Sequence, residues 1–209
     1  MFGFISSLFV RLSKQDYLKI SLSEYEVFLN PIDVRFFQVV NELSSEDSDV
    51  RVLHSLLSEG DSFIDVGANH GSFSIVASKL VGAAGFVTSI EPQPRLAKLV
   101  NKSLALNALC NFQVHQIAVG EFDGEIELLV PQDTSGSAGI YPEHSGTHNH
   151  NILKVPVKRF DDLMDWRILP GKTLVKLDVE GSEIAFLTGA RQMIISRRPK
   201  LILEIHPGT

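Results

Sequence analysis

The stretch Phe63-Ile64-Asp65-Val66-Gly67-Ala68-Asn69-His70-Gly71 decides the fold. Apolar residues around a single acid read as a short buried strand, and two glycines mark a tight turn at its end. Phe73, Val76, Ala77 and Leu80 then recur at helical spacing. In open α/β sheets such a strand–turn–helix unit cradles a ligand at the strand's C-terminal end. The dinucleotide form of the turn reads G-x-G-x-x-G. Here it reads G-x-x-x-G, so the pyrophosphate cradle lacks its middle glycine.

What the turn carries instead is an acid, Asp65, on the strand before it. A carboxylate there repels a pyrophosphate and suits a cationic amine. Gly67 and Gly71 let the backbone turn tightly and approach a ligand. Glu91 closes the next strand, where a carboxylate can accept both ribose hydroxyls of an adenosine. A nucleoside without phosphates but with an amino-acid tail describes S-adenosylmethionine. Simpler roles exist for each acid alone, a helix cap for Asp65 and a solvated loop acid for Glu91. The order and spacing of the two together favour the nucleoside.

Outward from this point the strand–helix rhythm continues. Gly85 to Glu91 reads as a second strand, "PRLAKLVNKSLALN" as a helix, and "NFQVHQIAVG" as a third strand. This βαβαβ pattern predicts an α/β fold with a mostly parallel central sheet and helices on both faces. "GEIELLVP" and "ILKVPVKRF" then read as an inserted β-hairpin around a loop, 131–151. "DDLMDW" is helical, "TLVKLDVEG" is another buried strand, and Phe186, Ala190, Met193 and Ile194 share one face of the helix after it. "KLILEIHP" is the last strand. Upstream, Tyr25 to Leu29 reads as a short strand stopped by Asn30-Pro31. A helix capped by Ser48 or Asp49 presents Val52, Leu53, Leu56 and Leu57 on one face and stops at Gly60. The expected organisation is an N-terminal extension, 1–60, and a cofactor-binding core, 61–209.

Composition bounds the partners. The chain has 209 residues, 44% hydrophobic and 21% charged, as expected of one globular domain with a sizeable core. Its formal net charge of -6, with no long basic run, argues against a nucleic-acid partner. The single cysteine, Cys110, cannot pair internally, which suits a reducing, cytoplasmic setting. "MFGFISSLFVRLSK" is too short to span a bilayer, and its charges follow the apolar run instead of preceding it as in a signal peptide. It reads as a helix packed on the domain or as one that contacts a membrane surface or a partner. A homo-oligomer is compatible with the sequence.

The runs "FIDVGANHGSFSIVASKLVG", "SIEPQPRLAKLVNKSLALN", "IAVGEFDGEIEL", "VKLDVEGSEIAFLTGA" and "PKLILEIHP" resemble, in this order, the FkbM-type methyltransferases. The resemblance runs from about Tyr25 to the C-terminus. It implies the Rossmann-like class I methyltransferase fold and S-adenosylmethionine as cofactor. It also implies O-methylation of a small-molecule or glycan hydroxyl, on a sugar or a secondary metabolite. By the same resemblance Asp65, Gly67, Ala68, Asn69 and Gly71 form the methionine-side pocket and Glu91 holds the ribose. Pro92 shapes the adenine edge, Ala118 and Val119 lie against adenine, and "KLDVEG" sits beside the transferred methyl. Two departures stand out. The chain ends at Thr209, where the fold normally continues with a helix and an antiparallel hairpin, so the C-terminal strands look truncated unless other segments cover that sheet edge. His70 stands where many relatives carry a small or apolar residue, and is read as pointing to solvent.

A hydroxyl acceptor is a weak nucleophile, so a proton acceptor or a metal is expected near it. Asp178, Glu180 and His206 are the catalytic candidates, at the ends of two neighbouring strands. Three readings stay open. Asp178 or His206 acts as a general base. Asp178, Glu180 and Glu204 hold a divalent cation. Or Lys176 pairs with Asp178 or Glu180 structurally, and positioning does the rest. Glu183 reads as a helix-start acid. His144, His148 and His150 in the insert look like metal ligands, but nothing completes such a site and a solvated loop is preferred; Tyr141 or Ser137 could touch an acceptor there. The rival classes are an NAD(P)-binding reductase and a non-catalytic cofactor-binding module.

Overall fold

The computed structural model describes residues 17–31, 33–45, 48–107, 111–131 and 150–204. Strands β1 (Leu18–Ser21) and β2 (Glu26–Leu29) pair antiparallel, with Leu18 opposite Leu29. Helix α1 (Phe36–Ser44) follows and turns Val39 and Leu43 inward. Neither β1 nor α1 is expected from the reading above, although Phe36, Val39, Val40 and Leu43 carry helical spacing. The expected helix after Ser48 is instead a 3₁₀ turn, Asp49–Val52, running into the short α2 (Leu53–Leu56). Ser48 does not cap it. Its hydroxyl donates to the carbonyls of Glu42 and Ser45, tying this turn to the end of α1. Val52 leaves the shared apolar face and is exposed, while Leu53 and Leu57 are buried.

The βαβαβ unit comes next as β3 (Ser62–Val66), α3 (Ser72–Val81), β4 (Phe86–Ile90), α4 (Pro94–Asn107) and β5 (Asn111–His115). The segment read as one third strand is two. After β5 the chain turns at Gln116 and Ile117, and Ile117 enters the apolar layer that holds Ile90 and Phe160. The following β6 (Ala118–Gly120) then joins a different sheet. There β7 (Gly124–Pro131) and β8 (His150–Arg159) form the inserted hairpin, antiparallel from Gly124 opposite Val157 to Pro131 opposite His150. The hairpin tip, with Ser137, Tyr141, His144 and His148, lies outside the described residues, as do the apolar N-terminus, Cys110 and His206. After α5 (Phe160–Leu163) and a 3₁₀ turn at Trp166–Ile168 come β9 (Thr173–Leu177), α6 (Glu183–Gly189), α7 (Arg191–Arg197) and β10 (Lys200–Leu203). The single helix expected after β9 breaks at Ala190, yet Phe186, Ala190 and Met193 still share one buried face.

The main sheet has the order β10-β9-β3-β4-β5 and every pair is parallel. This is the α/β architecture expected, with β3 and β9 central and every residue of both buried. Side-chain alternation divides the core into two layers. Phe63 and Leu174 face the layer built by β2, α1, α3 and α4. Ile64, Val66, Val175 and Leu177 face the layer built by Phe160, Trp166, Phe186 and Met193. Full burial of a side chain such as Phe63 contributes roughly 1.5–3 kcal/mol. Residues 25–57 bury Tyr25, Val27, Leu29, Val39, Leu43 and Leu53 in the first layer, against Ile75, Val76 and Val100. Among the described residues no helix is long and apolar enough to cross a membrane.

Candidate functional site

From β3 the chain steps outward to β4 and β5, then returns to the other side of β3 as β9. The strand order therefore reverses between β3 and β9, and the turns that leave their C-terminal ends face each other. Gly67, at φ +78°, passes so close to β9 that a Cβ there would overlap the carbonyl oxygen of Asp178. Asn69 has φ +50° although it is not glycine. It keeps the left-handed shape that the missing glycine would supply, which asparagine tolerates better than most residues. Its amide N–H is not offered to a phosphate. It donates to Oε2 of Glu91 at 2.9 Å, and the amide of Gln93 donates to Oε1 at 2.9 Å. The turn is also hung on β4, because the amides of Gly67 and Ala68 both donate to the carbonyl of Ile90.

Glu91 is buried beside the crevice, and burial pushes its carboxyl up to about 7 against the pull of the two amides. The crevice runs over the strand ends between Gly67, Asn69 and Glu91 on one side and Asp178 and Glu180 on the other. Pro92, Gln93, Ala118 and Val119 also line it. Its apolar slot is made by Ile117 and Val119 with Ile126 and Leu128 of β7. Three carboxylates, Glu91, Asp178 and Glu180, and no lysine, arginine or histidine stand among its described lining residues.

A second, larger cavity of about 680 Å³ adjoins the first. Gly67, Asn69, Asp178 and Glu180 line both, so these four residues stand where the two spaces meet. The second cavity is walled by α1 on one side and by the ends of β9 and β10, with Glu204, on the other. Of the expected site residues that are described, all but Asp65 and Gly71 line one cavity or the other.

Asp65 lines neither cavity. Alternation on β3 turns it, with Phe63, toward α3. There Ser74 donates to Oδ2 at 2.6 Å, so the 2.7 Å contact between Ser74 and Ser89 has Ser89 as donor. Register places Lys176 opposite Asp65 on β9, its Nζ 3.8 Å from Oδ1. Burial raises the Asp65 carboxyl, and Lys176 and Ser74 pull it back down. Gly71, at φ +84°, serves packing: a Cβ would press on Val100 of α4 at 3.2 Å. His70 does not point to solvent, as the sequence suggested. It is 2% exposed, with Nε2 3.5 Å from Oδ2 of Asp33, a carboxylate that also lies 3.4 Å from Arg95. The turn after β3 is therefore fastened to the segment that precedes α1.

Lys176 also donates to Asp178 at 3.1 Å, so the ion pair anticipated from the sequence exists and extends to Asp65. The strand ends at Leu177, and Asp178 is held by its amide donating to the carbonyl of Val66. Glu180 takes φ +48° in the turn that follows. Glu183 accepts from the amide of Gly181 at 3.1 Å, as suits an acid at a helix start. Among the described residues no group of three or more His, Cys, Asp or Glu is arranged to hold a metal ion. Ile126 and Leu128 were not anticipated in the slot, though their alternation in "GEIELLVP" carried the signal.

A parallel sheet that reverses order beside its first strand, with an acid at the end of the next strand, defines a Rossmann-like α/β protein. Residues 65–209 match the family described as the Methyltransferase FkbM domain, and the chain belongs to that family. It is 29% identical over 146 residues to Methyltransferase 1 of Beauveria bassiana (strain ARSEF 2860), an alignment that takes in 62% of this chain. The chain spans 58% of that relative's length. Among solved structures it is similar to a SAM dependent methyltransferase from Aquifex aeolicus (TM-score 0.42, 15% identity, 85% of this chain and 73% of that one). It is also similar to TYW2 of P. horikoshii in complex with MeSAdo (TM-score 0.35, 14% identity, 54% and 47%).

Proposed function

We propose that this chain is an S-adenosylmethionine-dependent methyltransferase that methylates a hydroxyl oxygen of a sugar or secondary metabolite. The observation that carries the cofactor is the charge of the first crevice. Its described lining combines an apolar slot with three carboxylates and no cationic side chain. A diphosphate would meet only like charge there, whereas a nucleoside with a cationic tail is complementary. Family membership supports methyl transfer, and the hydroxyl acceptor rests on the resemblance of the sequence to FkbM-type enzymes.

In this reading Glu91 accepts the ribose hydroxyls through the lone pairs that the Asn69 and Gln93 amides leave over. Ile117, Val119 and Leu128 take the adenine, with Pro92 and Ala118 at its edge. Asp178 and Glu180 face the cationic end, a task the sequence suggested for Asp65. When bound, the cofactor supplies an electrophilic methyl group on a sulfonium. The chain's own contribution is to bring the acceptor to the junction of the two cavities in line for attack. The hydroxyl proton passes to a carboxylate there, Asp178 or Glu180. Lys176 positions Asp178, and His206 is a further candidate outside the described residues. In this reading residues 35–52 and the 61–209 core work as one unit, since both line the second cavity.

Calorimetry with S-adenosylhomocysteine and with NADH tests the cofactor directly. Micromolar binding of the former and none of the latter is expected. Tight NADH binding without S-adenosylhomocysteine binding sinks the proposal in favour of a reductase. A chain that binds the cofactor but methylates nothing in a broad glycan and metabolite panel is a binding module instead.

A further inference from the structure

The second cavity holds an arrangement that the cofactor does not use. Glu42 of α1 is its hub. Oε2 accepts from the Ser72 hydroxyl at 2.5 Å, and Oε1 accepts from the Gln38 amide at 3.0 Å. The Arg35 guanidinium lies 3.7 Å from the same oxygen. Arg35 Nε is buried and has no hydrogen-bond partner among the described residues. A buried donor in a cavity wall is costly unless something enters to accept from it. Val39 of α1, Phe73 and, from the opposite side, Ile202 add apolar lining to the same cavity.

The charge balance narrows what can enter. Carboxylates reach the cavity from α1 (Glu42), from Asp49, and from the strand ends (Asp178, Glu180, Glu204). The cations are Arg35 and Lys176, and both already stand beside carboxylates, Lys176 beside two. The lining therefore combines acceptors, one orphan donor and apolar side chains under a negative field. This suits a ring that offers hydroxyls at its edge and C–H groups on its face, and it opposes a phosphate or carboxylate on that ring.

We infer that this cavity is the acceptor site, that α1 supplies its specificity wall through Arg35, Gln38 and Glu42, and that it admits uncharged polyhydroxyl acceptors while rejecting their phosphorylated forms. The inference rests on the methyltransferase reading, because it places the acceptor beside Asp178 and Glu180 at the junction with the cofactor crevice.

The test is ligand-observed saturation-transfer NMR at low salt on the full chain, with and without S-adenosylhomocysteine. The probes are the methyl glycosides of glucose, mannose, galactose and rhamnose, with the 6-phosphates of the first three. At least one neutral glycoside should contact the wild-type protein, with its phosphate at least about tenfold weaker. Gln38→Trp, at an exposed helical position on the cavity wall, should remove the neutral signal while leaving S-adenosylhomocysteine affinity within about twofold. Glu42→Gln should keep neutral binding and narrow the gap to the phosphate. Phosphates that bind as well as the neutral sugars, a neutral signal that survives Gln38→Trp, or no contact from any glycoside overturns the inference. Calorimetry separates the two levels. A protein that binds S-adenosylhomocysteine and fails these tests loses only the acceptor site, and one that binds none loses both.

Discussion

The amide of Asn69 donates to the carboxylate of Glu91 across 22 positions of sequence, at 2.9 Å. In the function proposed above, this bond is what turns a nucleotide cradle toward a nucleoside. The left-handed backbone of a glycine-rich cradle is kept, but the N–H that would hold a phosphate orients an acid.

Replacing that acid with its amide tests the bond. Glu91→Gln has one oxygen left, so one of the amides of Asn69 and Gln93 faces an NH₂ group and loses its acceptor. S-adenosylhomocysteine should bind at least about tenfold more weakly, and thermal denaturation should show a loss of about 1–3 kcal/mol. Unchanged affinity by calorimetry would remove Glu91 from the ribose site.

The pH dependence has a definite sign. Burial holds the Glu91 carboxyl up at about 7 in the free protein. Ribose hydroxyls donate to the ionised form, so binding should expel a proton and affinity should rise with pH until that value is passed. For the free protein, the raised value means the folded state holds this proton more tightly than the unfolded chain does. Its contribution to stability should therefore fall as pH rises from about 4.5 to about 7. Calorimetry in buffers of different ionisation enthalpy reads the first effect, and denaturation at several pH values reads the second. In Glu91→Gln the proton release should vanish and the pH dependence of stability should lessen, leaving the part due to Asp65, whose carboxyl is also raised by burial.

Gly67→Ala should be severe for a residue in a turn. The added methyl meets the Asp178 carbonyl, and φ +78° is strained for alanine. A loss on the order of 3 kcal/mol is expected, with weakened cofactor binding because both cavities share this wall. Denaturant titration measures it, and wild-type stability would disprove the close approach of the β3 and β9 turns.

Lys176 neutralises Asp65 from the neighbouring strand, so Lys176→Met should strand a buried carboxylate. About 3–5 kcal/mol should be lost. Adding Asp65→Asn should recover part of it, because the amide needs no counter-ion and can still accept from Ser74. A loss in the double variant equal to the sum of the losses in Lys176→Met and Asp65→Asn alone would show that the two side chains do not interact.

Asp178 and Glu180 separate charge from shape. Asp178→Asn and Glu180→Gln keep size and remove negative charge from the crevice. Each should weaken S-adenosylmethionine, which carries a sulfonium, more than S-adenosylhomocysteine, by a ratio of roughly three to ten. Competition binding gives the ratio, and a value of one for both would move the sulfonium elsewhere.

The strand–turn–helix units were legible because their signals are local. Buried runs, glycines at Gly67 and Gly71, and the face of α4 (Leu96, Leu99, Val100, Leu104) each follow from neighbours in sequence. The positions of Glu91, Asp178 and Glu180 at strand ends followed from the same rhythm. α1 was also within reach, since its spacing was present, but its helix is short and has no side-chain cap to announce it.

What the chain by itself determined was therefore the order of its elements and which acids end them. Tertiary structure decided where those acids point and whom they meet. Asp65 faces α3 because strand alternation gives each side chain one face, and the register of β9 sets Lys176 opposite it. His70 is buried because Asp33 arrives from a distant segment. Asn111–Gly120 divides between two sheets because Ala118–Gly120 finds β8 as a partner. A strand's propensity is local, but its hydrogen-bond partner and the burial of its side chains exist only once the chain has packed.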